Sequence, residues 1–314
     1  MNVPIQRLFA GILLLCVAVA QAATYVDDAG RQVEFTEPAR RVITLAPNLT
    51  ELVYALGAGA SLVGTMDTSN YPAAAKRVPR VGDYQRLDVE RIVSLKPDLI
   101  LVWHHGNQGR ELEQLEAAGL RLFYLEPRRL EDVERAMVRV GALLGREAQA
   151  EARAQSLRRE LALLRERHAA DVPVTVFFQV WSQPLMTLND QHLISDVLSL
   201  CGGRNVFGAL PSLAPQLSIE SVVAANPEVM FTASEFPLDG PAWRREPMNP
   251  AFSMWRPFGK LTAVQRGWMV SMSGDLITRQ GPRIIDGARA MCAALDEVRQ
   301  ERRQLSKNKS RESQ

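Results

Sequence analysis

The chain has 314 residues, 46% hydrophobic and 23% charged, and its 37 basic and 35 acidic groups leave a net charge of +2. That length fills two cores of ordinary domain size. Near-balanced charge, with no basic stripe interleaved with aromatics, sets nucleic acid aside as a partner.

Residues 1–22 read as an export signal. Arg7 gives a short positive start, residues 8–20 are apolar, and Ala20-Gln21-Ala22 supplies small residues for cleavage after Ala22 or Ala23. An apolar run of this length falls short of the roughly 20 residues that span a bilayer. Cys16 follows bulky Leu14-Leu15, which argues against lipid attachment there. The expected location is the periplasm. Of the three cysteines, Cys201 and Cys292 remain after cleavage. An even count in an exported chain favours a disulfide over two separate buried thiols. Closing a loop of about ninety residues would stabilise by roughly 4–5 kcal/mol on the loop-entropy account, less any strain.

Residues 24–35 alternate weakly around Asp28-Ala29-Gly30, which predicts a β-hairpin. Residues 41–45 predict a buried strand. Asn48, with Glu51 three residues on, has the spacing of a capping box, for a helix that runs through Leu56 and stops at Gly57. Gly57-Ala58-Gly59 does not make a dinucleotide fingerprint: the sixth position is Leu62, and the glycines close a helix where the fingerprint would open one. A strand is expected from Leu62.

Residues 87–103 (LDVERIVSLKPDLILVW) and 217–233 (LSIESVVAANPEVMFTA) are one unit written twice. Asp88 or Ser218 caps a short helix. Pro97 or Pro227 ends it, and a branched apolar run then predicts a buried strand. The likeness extends to residues 51–64 and 195–208, where helix, glycine turn and closing glycine fall in step. Between the copies, residues 110–118 predict a helix, 121–125 a strand and 130–144 a helix. Alternating strands and helices predict an α/β fold with mostly parallel sheets, one Rossmann-like lobe in each half.

Residues 146–169 contain no Gly or Pro and carry a narrow stripe of Leu157, Leu161 and Leu164. A helix there would span roughly 35 Å. It predicts a single long helix joining the lobes, or else one packed on the first lobe. The expected organisation is a signal peptide at 1–22, a first lobe at 24–145, the joining helix at 146–169, a second lobe at 172–305 and a disordered tail at 306–314. In the second lobe, residues 174–180 and 267–271 predict strands, 194–200 a helix, and 282–300 the closing helix with Pro282 in its first turn.

Two lobes leave a cleft, a standard place for a ligand. No G-x-S-x-G elbow occurs. Among the four histidines, His104 and His105 are adjacent and would point opposite ways in a strand extension, with no partner at ligand spacing. No dedicated metal site and no cofactor is expected.

The hairpin, the strand at 41–45, the SLKPDLIL segment and the lone long helix resemble the solute-binding proteins of chelate-importing ABC transporters. The resemblance covers roughly residues 39–298. Within that family the chain is most similar to the cobalamin carriers, through LSLCGGRNVF and ARAMCAAL, which match those carriers' disulfide positions. The resemblance implies a monomer that captures cobalamin or a related corrinoid between the lobes, without turnover, and delivers it to the permease. It implies that Glu90 and Glu220 dock on permease arginines, one per lobe. Each also suits a first helical turn on dipole grounds alone.

The same resemblance implies ligand-facing roles for Tyr71, Tyr84, Trp103, Trp181, Asp275 and Arg279. Aromatic faces suit a flat ring, and Asp275 and Arg279 suit its amides and phosphate. Trp103 is equally suited to the core, and Asp275 and Arg279 to a mutual ion pair. Tyr84 stands where the family has tryptophan. Ala214 stands where the family has a ligand-facing tryptophan, a loss that Trp181, Trp243 or Trp255 could offset, and Thr278 replaces an acidic residue. A ferric-siderophore or haem carrier is the alternative within the fold, against which stands the scarcity of cleft arginines beyond Arg279. A corrinoid-processing enzyme using Asp275 is the alternative outside it.

Overall fold

The computed structural model describes residues 23–107, 109–234 and 242–312. The expected signal peptide lies outside the described residues. No helix among them is long and apolar enough to cross a membrane.

The described chain begins with the antiparallel hairpin β1 (Ala23–Val26) and β2 (Gln32–Phe35). Asp27 closes its turn by accepting the Ala29 and Arg31 amide protons. Next come β3 (Val42–Thr44), α1 (Pro47–Ala55), β4 (Leu62–Thr65), α2 (Val89–Ser94), β5 (Leu99–Trp103), α3 (Arg110–Ala117), β6 (Leu122–Leu125) and α4 (Leu130–Leu143). The 22-residue α5 (Glu147–His168) leads to the second lobe. That lobe holds β7 (Val174–Gln179), the small hairpin β8 (Trp181–Ser182) and β9 (Leu185–Met186), α6 (Leu193–Leu200), β10 (Gly203–Asn205), α7 (Ile219–Ala225) and β11 (Val229–Ser234). It ends with β12 (Trp243–Arg245), α8 (Thr262–Gln265), β13 (Met269–Ser273), α9 (Gly274–Ile277) and α10 (Ile284–Glu312).

The first sheet is parallel, in the order β4-β3-β5-β6. The second runs β10-β7-β11-β13, also parallel, with β12 added antiparallel at its edge. Leaving out the short hairpin, both lobes place their second strand outside the first and then step back past it. The expected fold, two Rossmann-like lobes joined by a long helix, is therefore present, and the duplication is a duplication of topology.

The repeated unit matches in detail. Asp88 accepts the Arg91 amide proton and Ser218 that of Ser221, so both helices are capped as expected. Ile92 and Val222 are fully buried at the same step. Asp98 accepts the Arg40 and Arg41 amide protons, and Glu228 accepts that of Thr175, so each copy pins the start of the neighbouring strand with a carboxylate.

Three local expectations are corrected. The capping box at Asn48 and Glu51 does not form. Pro47 opens α1 behind Ala46, with no side-chain cap, and both polar side chains reach the other lobe. The glycine turns are not in step: Gly57 takes φ 71° and Gly202 φ 67°, one place apart in the gapless pairing. A 3-10 turn at Gly59–Ser61 delays β4, whereas β10 follows its helix at once. The tail expected from residue 306 instead continues α10 to Glu312, because that stretch has no Pro or Gly to stop a helix.

α5 packs its Ala150, Ala154, Leu157 and Leu161 inward. At Gly141 of α4 a Cβ atom would lie 2.2 Å from the Cβ of Ala150, so only glycine permits that approach. One apolar cluster runs from Val33 in the first hairpin, through these α5 residues, to Val298 in α10. Behind the joint, Asp196 of α6 accepts the Leu130 amide proton at the start of α4. Cys201 and Cys292 form a disulfide between the end of α6 and α10, 91 residues apart in sequence.

Candidate functional site

In open parallel sheets, ligands bind beyond the carboxyl ends of the strands, where the strand order reverses. Tyr71 lies in the loop after β4, Trp103 at the end of β5, Trp181 just after β7, and Asp275 and Arg279 just after β13. All five thus stand at the edge where the topology puts a site.

Four of them meet. Arg279 pairs with Asp275 at 2.7 Å, donates to Asn70 Oδ1 at 2.8 Å and reaches Glu51 Oε1 at 2.6 Å. Trp103 donates its indole proton to Gln280 Oε1 at 3.1 Å, and Asn48 Nδ2 lies 3.4 Å from the Gln280 carbonyl. The Arg283 guanidinium stacks over the Tyr71 ring, 3.9 Å from its centroid. The lobes therefore touch across the cleft through polar side chains. Gly281 permits this approach, since a Cβ atom there would sit 3.2 Å from the Asn48 carbonyl oxygen. Trp103 is held from behind as well: Asn107 accepts its amide proton and donates to the Leu45 carbonyl.

Arg283 corrects the expectation that the cleft has few arginines beyond Arg279. Burial alone would lower its pKa, but the hydrogen bonds and charge of Glu51, with Asp275 behind them, raise it above the ordinary arginine value. Two guanidiniums face two carboxylates, so the cluster is balanced in formal charge.

Tyr84 and Trp181 stand outside this hydrogen-bonded cluster. Tyr84 is 83% exposed, at the tip of a loop closed by the Gly82–Leu87 bridge. Trp181 is exposed on its hairpin, where its indole donates to the Gln183 carbonyl. That hairpin pairs through Met186 with Gln216, close in sequence to Ala214. Trp255 cannot take the place of the tryptophan missing at Ala214. It is fully buried and donates to Gln179 at 2.6 Å. Trp243 is half-buried in the edge strand β12. Thr278 is exposed and bonds back to the Gly274 carbonyl.

Glu90 and Glu220 are both exposed, in the first turns of α2 and α7. A crossover helix runs against the strands it connects, so its first turn lies at the carboxyl edge, on the cleft side. The Glu220 backbone N–H, then the Ser218 hydroxyl, hold its carboxyl below the usual carboxylate range. A cavity of about 860 Å³ beside Glu90 is lined by Asp67, Asp83, Asp88 and Glu111. It belongs to the rim of the first lobe and not to the space around Asp275 and Arg279.

His104 and His105 do not point opposite ways. The strand has ended, and their rings meet edge to face at 4.7 Å, with His105 Nδ1 3.1 Å from Glu126. His168, Asp171 and Asp296 bring three potential metal ligands within 4.8 Å. Arg299 already pairs with both of those carboxylates, at 3.1 and 3.0 Å, so its guanidinium fills the role a cation would have.

A pair of similar parallel-sheet lobes meeting across a polar and aromatic cleft defines a ligand-capturing protein. The chain matches the periplasmic binding protein family over residues 42–276 and belongs to it. It is 35% identical to a vitamin B12-binding protein of Photorhabdus laumondii, over 82% of this chain and 88% of that one. It is similar in structure to the periplasmic vitamin B12 binding protein BtuF of Vibrio cholerae, with a TM-score of 0.73 and 33% identity over 83% of this chain and 98% of that one. A periplasmic haem-binding protein from Pseudomonas aeruginosa is also similar, with a TM-score of 0.69 and 27% identity over 82% and 92%.

Proposed function

We propose that the protein is a periplasmic carrier that captures cobalamin between its lobes and delivers it to an ABC permease. The observation that carries this reading is the convergence of Tyr71, Trp103, Asp275 and Arg279, drawn from both lobes, at the carboxyl edges of the two sheets. An aromatic wall suits the face of a corrin ring, while a carboxylate and a guanidinium that balance each other suit its neutral amide side chains. Tyr84 and Trp181, exposed on separate loops, complete the aromatic lining once a large ligand bridges them. Trp181, whose hairpin pairs next to the Ala214 segment, is the tryptophan placed to stand in there. The relatives' vitamin B12-binding role supports the same ligand.

Glu90 and Glu220 dock the permease, one from each lobe, and the carrier works as a monomer. It binds without turnover, so a corrinoid incubated with it is recovered unchanged. The haem-binding neighbour keeps haem as the second reading. Against it stands the neutralisation of both cleft arginines by Glu51 and Asp275, which leaves little net charge for an anionic chelate.

Calorimetric titration of the mature protein with cyanocobalamin, haem and a ferric hydroxamate tests the reading. Cyanocobalamin is expected to bind most tightly. Affinity for it no better than about tens of micromolar, or tighter binding of haem, would remove cobalamin as the cargo.

A further inference from the structure

Glu51 has no local task. It sits in the second turn of α1, is only 3% exposed, and takes no part in capping that helix. An ionised carboxylate withdrawn from water needs partners at close range. Both partners come from the other lobe. Arg283 meets it with two bonds, Nε to Oε2 at 2.8 Å and Nη2 to Oε1 at 2.6 Å, and Arg279 adds Nη1 to Oε1 at 2.6 Å. A buried ion pair is weak as a source of net stability, but the planar fork of an arginine on a carboxylate fixes direction closely.

What these two arginines touch next makes that direction matter. Arg283 sits over Tyr71, a cation–π contact against a ring whose residue is still 47% exposed. Arg279 holds Asn70, beside that ring, and Asp275 in its own lobe. Gln280, between the two arginines, accepts from Trp103. One carboxylate thus stands behind the tyrosine and the acid–base pair, and the tryptophan is held by a residue of the same segment as its two arginines.

We propose that Glu51 is a positioning residue for ligand capture: acting through Arg283 and Arg279, it orients Tyr71 and sets the approach of the two cleft walls. This deepens the reading of that cleft as the ligand site and rests on it. Glu51 itself need not touch the ligand. Its loss frees three hydrogen bonds between the lobes and leaves both guanidiniums without their common partner.

The test compares Glu51→Gln, Arg283→Lys and Arg283→Met with the parent protein. Cyanocobalamin affinity and dissociation rate are measured, and spin labels at Lys76 and Lys260 report the lobe-to-lobe distance without ligand. Glu51→Gln is expected to weaken binding by about tenfold or more, mainly through faster dissociation, and to broaden the distance distribution. Arg283→Lys keeps a charge near Glu51 but not the two-point fork, so it should recover only part of what Arg283→Met loses. Adding Glu51→Gln to Arg283→Met should cost little more, because the two act as one unit.

Affinity within about twofold of the parent for Glu51→Gln, or parent-like affinity for Arg283→Lys, overturns the proposal. Should Glu51→Gln fail to fold, the two Arg283 variants decide it alone. If the parent itself does not bind cyanocobalamin, the functional reading fails, and an unbroadened ligand-free distance in Glu51→Gln would be needed to defeat the clasp as well.

Discussion

Lys96 and Asn226 take the same left-handed backbone conformation, φ 47° and 42°, each one residue before the proline that separates helix from strand in its copy of the repeat. The same step of the duplicated unit needs the same reversal, yet one copy makes it with a residue that tolerates it and the other does not. Asn visits this region through its short polar side chain, whereas a lysine there carries the steric cost of its Cβ. Lys96→Gly is therefore expected to stabilise the fold by about 0.5–1 kcal/mol, and Asn226→Gly to leave it nearly unchanged. Urea midpoints of the two variants check this, and a destabilised Lys96→Gly would contradict the turn.

Glu90 and Glu220 face solvent and, among the described residues, make no bond to the interlobe cluster; charges at the rim of an interface act mainly on orientation and encounter. Replacing both by Ala should leave cyanocobalamin affinity as it is and lower uptake by reconstituted transporter, with each single change giving a partial loss. Lost ligand affinity with normal uptake per bound carrier would assign these residues to the cleft instead.

His192 caps α6 by accepting the Ile194 amide proton on Nδ1, which requires that nitrogen to be unprotonated. Burial lowers its pKa from 6.5 to about 4. The unfolded chain takes up its proton near pH 6.5 and the folded one only near pH 4. Its contribution to stability is thus complete above pH 6.5, declines as pH falls through that window and is gone below about pH 4, to a total of about 3 kcal/mol. His192→Asn keeps an acceptor at the cap without the proton. Its unfolding free energy should vary less between pH 6.5 and 4 than that of the parent, measured by denaturant melts across the range. Parallel pH profiles for the two proteins would mean that the histidine is not neutral in the fold.

Local chemistry in the sequence was enough to find most of the elements and the parallel character of the sheets, but not the β8–β9 hairpin, the short strands β10 and β12 or the order of the strands. Gly57 ends its helix with a positive φ, α2 and α7 end just ahead of the prolines through left-handed Lys96 and Asn226, and the apolar runs after the prolines become central strands. The residues of the cleft were legible only in part. Asp275 with Arg279 could be read from their spacing, but Glu51 reaches partners 228 and 232 positions away, and three residues of nearby chain gave it the appearance of a cap. Arg283 was hidden for the same reason, although its place beside Pro282 at the start of the last helix, following the ligand-facing segment, was a usable hint. The offset between the two glycine turns was invisible because a short 3-10 insertion leaves helix and glycine spacing almost intact. His192 shows no pattern at all: its role depends on one ring nitrogen.

The apolar cluster that starts at Val33 and ends at Val298 has no seam where one half gives way to the other. Each half keeps a smaller apolar cluster of its own, but the large one is common to both, because α5 contributes Ala150, Ala154, Leu157 and Leu161 to it. Cutting the polypeptide within that helix would leave each fragment with an open greasy wound instead of a finished surface. The two halves are thus a single melting unit, and whatever movement accompanies capture and release must be a flexing of a filled wedge rather than the swing of two self-sufficient bodies on a string.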